Sequence, residues 1–197
     1  MAGDIRRLTV FFADLVGSTA LSTQVEPETY RLVVGKYREQ ALEIVSQHGG
    51  QIGSIKGDGL LAGFGWSTTH DDDDASRAVR AGLDIAQAVG RLSDQSKRRF
   101  DFDVNVRVGV HRGLVYLDTN ARDAFYGAAA AVATGLSGTA APGAVVVSDA
   151  VATLIRNDFE LEVSPPALVA GIDEPIARYR VVGEGKSASS TPPEDSA

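Results

Sequence analysis

Phe11-Phe12-Ala13-Asp14-Leu15-Val16-Gly17-Ser18-Thr19 is an apolar run that reaches an aspartate and passes directly into a turn. Residues 8–13 are long enough for a buried strand and too short for a helix. Gly17, Ser18 and Thr19 then supply a turn in which Ser18 and Thr19 are candidate helix N-caps. Further along, Gly57-Asp58-Gly59 lies between the runs 51–56 and 60–64, which is the pattern of a β-hairpin with an aspartate at its tip. Either aspartate alone is a weak signal, because hairpin turns and helix caps use aspartate for ordinary reasons. Two carboxylates at strand ends could share a divalent metal and hold a triphosphate.

The neighbouring segments extend this frame. Across residues 28–48 the apolar positions Tyr30, Val33, Val34, Tyr37, Ala41, Ile44 and Val45 recur at helical spacing, and Gly49-Gly50 stops the helix. A second amphipathic helix follows the acidic run Asp71-Asp72-Asp73-Asp74, whose carboxylates oppose the helix dipole and aid solubility. Four adjacent aspartates lack the spacing of a calcium loop. Residues 104–110 and 114–117 read as a strand pair turning at His111-Arg112-Gly113. A small-residue helix over 127–137, a strand over 144–147, a short helix from Asp149 and a closing strand over 178–182 complete the domain. Residues 1–5 read as a lead, and residues 184–197, rich in Ser and Pro without apolar period, as a disordered tail. This order predicts an α+β fold: a ferredoxin-like βαββαβ core with extra strands and helices, and helices over one face of a mainly antiparallel sheet.

Composition narrows the function classes. At 197 residues the chain suits one domain. It has no cysteine, hence no disulfide and no thiolate zinc site, which fits a reducing cytosol. No trio of histidines suggests zinc, and His48 and His70 read as surface or helix-end residues. A formal net charge of −7 opposes a nucleic-acid or anionic-membrane surface, and no 18-residue apolar run is present. The expected location is cytoplasmic.

With the contexts of Asp14 and Asp58 in place, the chain resembles the class III adenylate/guanylate cyclase catalytic domain. The resemblance covers roughly residues 6–183. It rests on Phe12-Ala13-Asp14-Leu15-Val16-Gly17-Ser18-Thr19, on His48-Gly49-Gly50 and Gly57-Asp58-Gly59, and on Arg107-Val108-Gly109-Val110-His111. Tyr126-Gly127, Ala141-Pro142-Gly143 and Val147-Ser148 extend it. Residues 71–86 and the ending from Glu174-Pro175 to Gly183-Glu184 look like the actinobacterial branch, where such domains often sit in larger regulatory proteins. A stand-alone chain and a fragment are both compatible with that.

The resemblance implies that Asp14 and Asp58 ligate two Mg²⁺ or Mn²⁺ ions. It also implies that the backbone at Val16, Gly17, Ser18 and Thr19 cradles a triphosphate, which a helix N-terminus suits. The implied reaction turns ATP into cyclic AMP and pyrophosphate for intracellular signalling. Sites of this kind form across a head-to-tail dimer, with both metal aspartates on one subunit and the base-selecting and transition-state residues on the other. A dimer edge near Phe125 is expected, and His111 is expected to be structural.

Four positions depart from the family pattern. The base-selecting lysine falls on Ser54, with Lys56 nearby; the base-selecting aspartate falls on Ala124, with Asp123 one residue out of register. The ribose-orienting asparagine falls on Ala131 and the transition-state arginine on Gly135. A preorganised donor is typically worth about 10²–10³ in rate, so a homodimer is expected to be weak or inactive. Candidate substitutes are Lys56, which reaches the base or else pairs with Asp58 in the metal's place, together with Asp123, Arg112 and Arg122. A heterodimer with another cyclase domain, and a catalytically inactive module that binds nucleotide or a protein partner, both stay open. So does ATP against GTP.

Overall fold

Burial of a strand on both faces organises this domain, and β1 (Gly3–Leu15) shows it: Leu8, Thr9, Val10 and Phe11 are all fully buried. A continuous buried run of this kind belongs to a strand with layers on both sides. The computed structural model describes residues 3–66, 73–118 and 125–185. β1 continues through α1 (Ser18–Gln24) to α2 (Pro27–Gln47), the hairpin β2 (Gln51–Lys56) and β3 (Gly59–Phe64), and α3 (Asp74–Phe100). Then come β4 (Val106–Asp118), the short β5 (Phe125–Tyr126), α4 (Ala128–Thr139), β6 (Val145–Ser148), α5 (Asp149–Ile155), β7 (Phe159–Ala167) and β8 (Ile176–Glu184). The sheet order is β2-β3-β1-β4-β6-β8-β7, with β5 attached to β4. Only the β4–β6 pairing is parallel among the described strands.

The helices cover both faces, which corrects the expectation of one covered face. On one side α2, α3 and α5 bury Val33, Tyr37, Val45, Val79, Ile85 and Ile155 against Phe11, Ala13, Leu60 and Phe64 of the sheet. On the other, α4 buries Ala129 and Ala133 against Leu8, Val10, Val115 and Leu117. The alternation along β1 assigns the faces: Phe11, Ala13 and Leu15 point to the α2 side, and Leu8, Val10, Phe12 and Asp14 to the α4 side.

α4 lies unusually close to the sheet because Gly109 lacks a side chain. A Cβ on Gly109 would stand 2.1 Å from the carbonyl oxygen of Ala133 and 2.4 Å from the amide of Ser137. This glycine therefore permits backbone-to-backbone seating of the helix on β4.

Further expectations need correction. β1 starts at Gly3, ahead of the start expected at Leu8. β4 is one strand through His111-Arg112-Gly113, paired with β1 from Gly3↔Asp118 to Leu15↔Val106, and does not turn there. Its polar residues are satisfied from afar. Arg112 bonds Asp74 at 2.5 Å and Thr9 at 3.2 Å, and His111 Nδ1 lies 2.8 Å from the Ser148 hydroxyl. β7 was not anticipated: it is an edge strand carrying Pro165 and Pro166, positions proline tolerates only at edges. The tail expected over 184–197 begins with Glu184 inside β8, and residues 186–197 lie outside those described.

Candidate active site

Asp14 leaves β1 on the α4 face and both its carboxylate oxygens are held. Arg107 Nη2, from the residue directly opposite on β4, donates to Oδ2 at 2.9 Å. The Ser137 hydroxyl, on the buried side of α4, donates to Oδ1 at 2.7 Å. The Asp14 side chain keeps 22% of its surface open. Arg107 bridges onward to the Gly138 carbonyl at 3.4 Å, and its buried Nε finds no protein acceptor.

Asp58 sits at the tip of the β2–β3 hairpin, where Gly57 takes a φ of +62°. Its Oδ2 accepts the backbone N–H of Leu15 at 3.0 Å. That bond ties the hairpin tip to the residue next to Asp14, so the position of Asp58 against the end of β1 is held through backbone. Arg38 of α2 reinforces the tip by donating to the Gly57 carbonyl through both Nε and Nη2.

Tyr37 of α2 packs in the core on the sheet face opposite the Asp14 side chain. Its side chain is fully buried and its hydroxyl finds no protein hydrogen-bond partner. Burial first, then the carboxylates of Asp58 and Asp14, push the phenol far above its ordinary range, with Arg38 opposing. An unsatisfied buried hydroxyl costs about 1–3 kcal/mol.

The turn after Asp14 enters α1 through Gly17, whose φ of +67° makes it the N-cap. No side chain caps the helix, so Ser18 and Thr19 are not the caps expected; Ser18 is buried in the first turn instead. The Val16 amide is already bonded to the Asn105 carbonyl at 2.8 Å. Val16 is thereby removed from the expected cradle, and the N–H groups of Gly17, Ser18 and Thr19 are those at the helix's open end.

Ser54 and Lys56 lie on the same sheet face as Asp14, because Ser54 pairs with Leu61 and Leu61 with Phe12. Ser54 is half-buried and Lys56 exposed. Among the described residues Lys56 forms no ion pair with Asp58; the cation seated on a site carboxylate is Arg107. Arg112 is no phosphate ligand here, since it projects to the opposite face and is bound by the buried Asp74. Asp74 is thus a structural ion-pair partner rather than a solubility charge. Asp123, Ala124, Arg122 and His70 lie outside the described residues.

On α4, Ala131 is exposed, and Gly135 sits one turn later. A Cβ on Gly135 would meet Val169 Cγ1 at 2.4 Å and Cγ2 at 2.8 Å. Val169 comes from the connection between β7 and β8, which packs Ile172 and the start of β8, Ile176, beside Leu136 and Val146. The chain's own fold fills the position where the resemblance implies an arginine.

Sequence reading missed Arg107 and Ser137. Arg107 carried a signal, a charge at the head of a buried strand that demands a partner. Ser137 read as one more small residue.

The family assignment rests on nearly the whole chain. Residues 2–183 match the family described as Adenylate and Guanylate cyclase catalytic domain. The protein belongs to this family. It is 27% identical over 122 residues to an adenylate cyclase of Anabaena cylindrica, covering 60% of this chain and 23% of that protein. Its fold is that of the adenylyl cyclase CyaB from P. aeruginosa, with a TM-score of 0.87 at 24% identity over 96% of this chain and 100% of that one. The guanylyl cyclase Cya2 superposes with a TM-score of 0.85 at 24% identity, over 95% and 98% of the two chains. The cyclase domain spans 18–27% of the length of the curated relatives it matches. Among the described residues no helix is long and apolar enough to cross a membrane.

Proposed function

We propose that this cyclase domain converts ATP into cyclic AMP and pyrophosphate with divalent metals on Asp14 and Asp58, and that alone it does so weakly or not at all. The observation that supports this reading is the Leu15 N–H to Asp58 bond, which ties the hairpin tip carrying Asp58 to the residue after Asp14. Two partly exposed carboxylates suit Mg²⁺ or Mn²⁺, which keep water and phosphate oxygens as their other ligands. Among the described residues no cluster of three or more His, Asp or Glu is present, so the nucleotide itself would complete the coordination. When bound, two such ions would lower the pKa of the ribose 3′-hydroxyl and neutralise the departing pyrophosphate.

The chain's own groups define the remaining roles. The amides of Gly17, Ser18 and Thr19 face an anion at the N-terminus of α1. The 3′-oxygen attacks the α-phosphorus, its proton passes to solvent or phosphate, and the bond to the β,γ-pyrophosphate breaks. Ser54 and Lys56 lie on the correct face to meet a base. Nothing from Ala131 or Gly135 can stabilise the transition state. A partner cyclase domain supplying those groups would complete the site. The exposed Ile5, Tyr116 and Tyr126, aligned across β1, β4 and β5, suit such a partner surface. GTP remains the competing substrate, because both base-selecting positions differ from the family pattern.

A second reading has its own support. Arg107 already neutralises Asp14, and Val169 closes the Gly135 position, as in a module that binds nucleotide or a protein partner without chemistry. Cyclic-nucleotide production with Mn²⁺, wild type against Asp14→Ala, separates the two. The enzyme reading expects product that vanishes in Asp14→Ala and rises on mixing with a cyclase domain lacking metal aspartates but carrying the other four groups. Nucleotide binding with no product in either format supports the module.

A further inference from the structure

We infer that Ser137 is a positioning residue for Asp14: its hydroxyl holds the Oδ1 oxygen from the α4 side and so sets the angle at which the carboxylate meets a divalent cation. This rests on the metal-site reading above and adds to that site a residue outside the carboxylate pair.

Distances and burial carry the assignment. Ser137 is 1% exposed, and its Oγ stands 2.7 Å from Asp14 Oδ1. The Arg107 carbonyl is a second acceptor, at 3.4 Å. A hydroxyl has one proton, and the shorter bond, to a charged acceptor, takes it. The two residues are 123 positions apart in sequence, so only the seating of α4 on the sheet brings them together. Gly109 provides that seating: a Cβ there would stand 2.4 Å from the Ser137 amide. The helix backbone is thus pressed onto β4 at the residue that carries the hydroxyl, and the height of Oγ over Asp14 is fixed by backbone contact.

The two partners of Asp14 act differently toward a cation. Arg107 brings positive charge to Oδ2 at 2.9 Å, which opposes a second positive charge there. Ser137 is neutral, and its hydrogen bond leaves the carboxylate its negative charge. Asp14 keeps 22% of its side-chain surface open, so an ion approaches from the open side while Ser137 holds Oδ1 from the covered one. Ligating carboxylates are oriented by outer hydrogen-bond partners of this kind, and losing one typically weakens metal affinity by about 10–100-fold. Ser137 is the partner retained on metal binding, and Arg107 the partner displaced.

The test is the Mn²⁺ affinity of Ser137→Ala and Ser137→Cys, read from the free-ion electron paramagnetic resonance signal well below each variant's melting temperature. Cysteine fills the same space with a weak donor, which separates the hydrogen bond from packing. Ser76→Ala is the control, since it removes another serine–aspartate bond, 2.9 Å to Asp158, away from the site. Both Ser137 variants are expected to bind Mn²⁺ roughly 10-fold more weakly or worse, with Ser76→Ala binding as wild type does. A lowered melting temperature with unchanged Mn²⁺ affinity in the Ser137 variants would make the hydroxyl structural only and overturn the proposal. Wild-type affinity in Ser137→Cys alone overturns it too, because packing and not the hydrogen bond would then matter. So does an equal loss in Ser76→Ala, which reports general loosening. Each of these leaves the metal site standing provided that Asp14→Ala itself weakens binding. Affinity untouched by Asp14→Ala, or no Mn²⁺ bound by wild type, removes the metal site and the Ser137 role together.

Discussion

Val169 and Gly135 are in direct steric exclusion: a Cβ on the glycine would stand 2.4 Å from the valine's Cγ1. Restoring an arginine at 135 is therefore not a simple repair. Gly135→Arg is expected to destabilise the domain by about 1–3 kcal/mol through overpacking, read by urea unfolding, and to give no more cyclase activity than wild type. Val169→Gly should relieve most of that cost in the double variant, giving clear non-additivity. Additive losses would show that Val169 is not the obstacle.

Under the metal-site proposal, Arg107 and a divalent cation would compete for Asp14. Arg107→Gln should lower metal-free stability by about 1.5–3 kcal/mol, the range for hydrogen bonds to charged groups. The same variant should bind Mn²⁺ more tightly, so added Mn²⁺ raises its melting temperature further than that of wild type. Calorimetric titration checks both parts. Weaker Mn²⁺ binding in Arg107→Gln would mean that the guanidinium aligns the carboxylate for metal rather than opposing it.

Gly109→Ala places a methyl group against the backbone of α4, at Ala133 and Ser137. Helix backbone yields less readily than a side chain, so a loss of at least about 1–3 kcal/mol is expected. Because α4 carries Ser137, its displacement also withdraws the hydroxyl from Asp14. Hydrogen exchange should show faster opening of α4 than of α2. Equal protection of the two helices would refute the seating argument.

Burial holds the His111 imidazole below its ordinary pKa of about 6.5. A depressed histidine is neutral in the folded state while the unfolded chain takes up a proton first. Its contribution to stability is therefore complete above the unfolded value and is lost as pH falls through the folded one. Between about pH 7 and 5, wild type should lose stability more steeply than His111→Gln, measured by melting temperature. Parallel slopes would show that His111 does not titrate across that window.

How far the sequence could be read depended on whether partners were local. The periodicity of α2 and the tip of the β2–β3 hairpin follow from spacings of a few residues, and both lie where the pattern placed them. Asp14 and Asp58 were legible because each punctuates a strand. The misreading of β4 as two strands came from Arg112 and His111, whose partners lie 103, 38 and 37 residues away at Thr9, Asp74 and Ser148. α4 is rich in alanine on several sides, so its face assignment could not be read from amphipathicity. The exclusion of Gly135 by Val169 joins segments that no short-range rule connects.

The bond from the Leu15 amide to Asp58 has a consequence for assembly. Because it lies within one chain, the spacing of the two carboxylates is inherited by a lone protomer before any encounter with a partner. Association can change which groups arrive opposite them, but not the caliper that separates them. Stoichiometric mixing with another cyclase domain should then alter turnover while leaving cation affinity where the isolated chain had it.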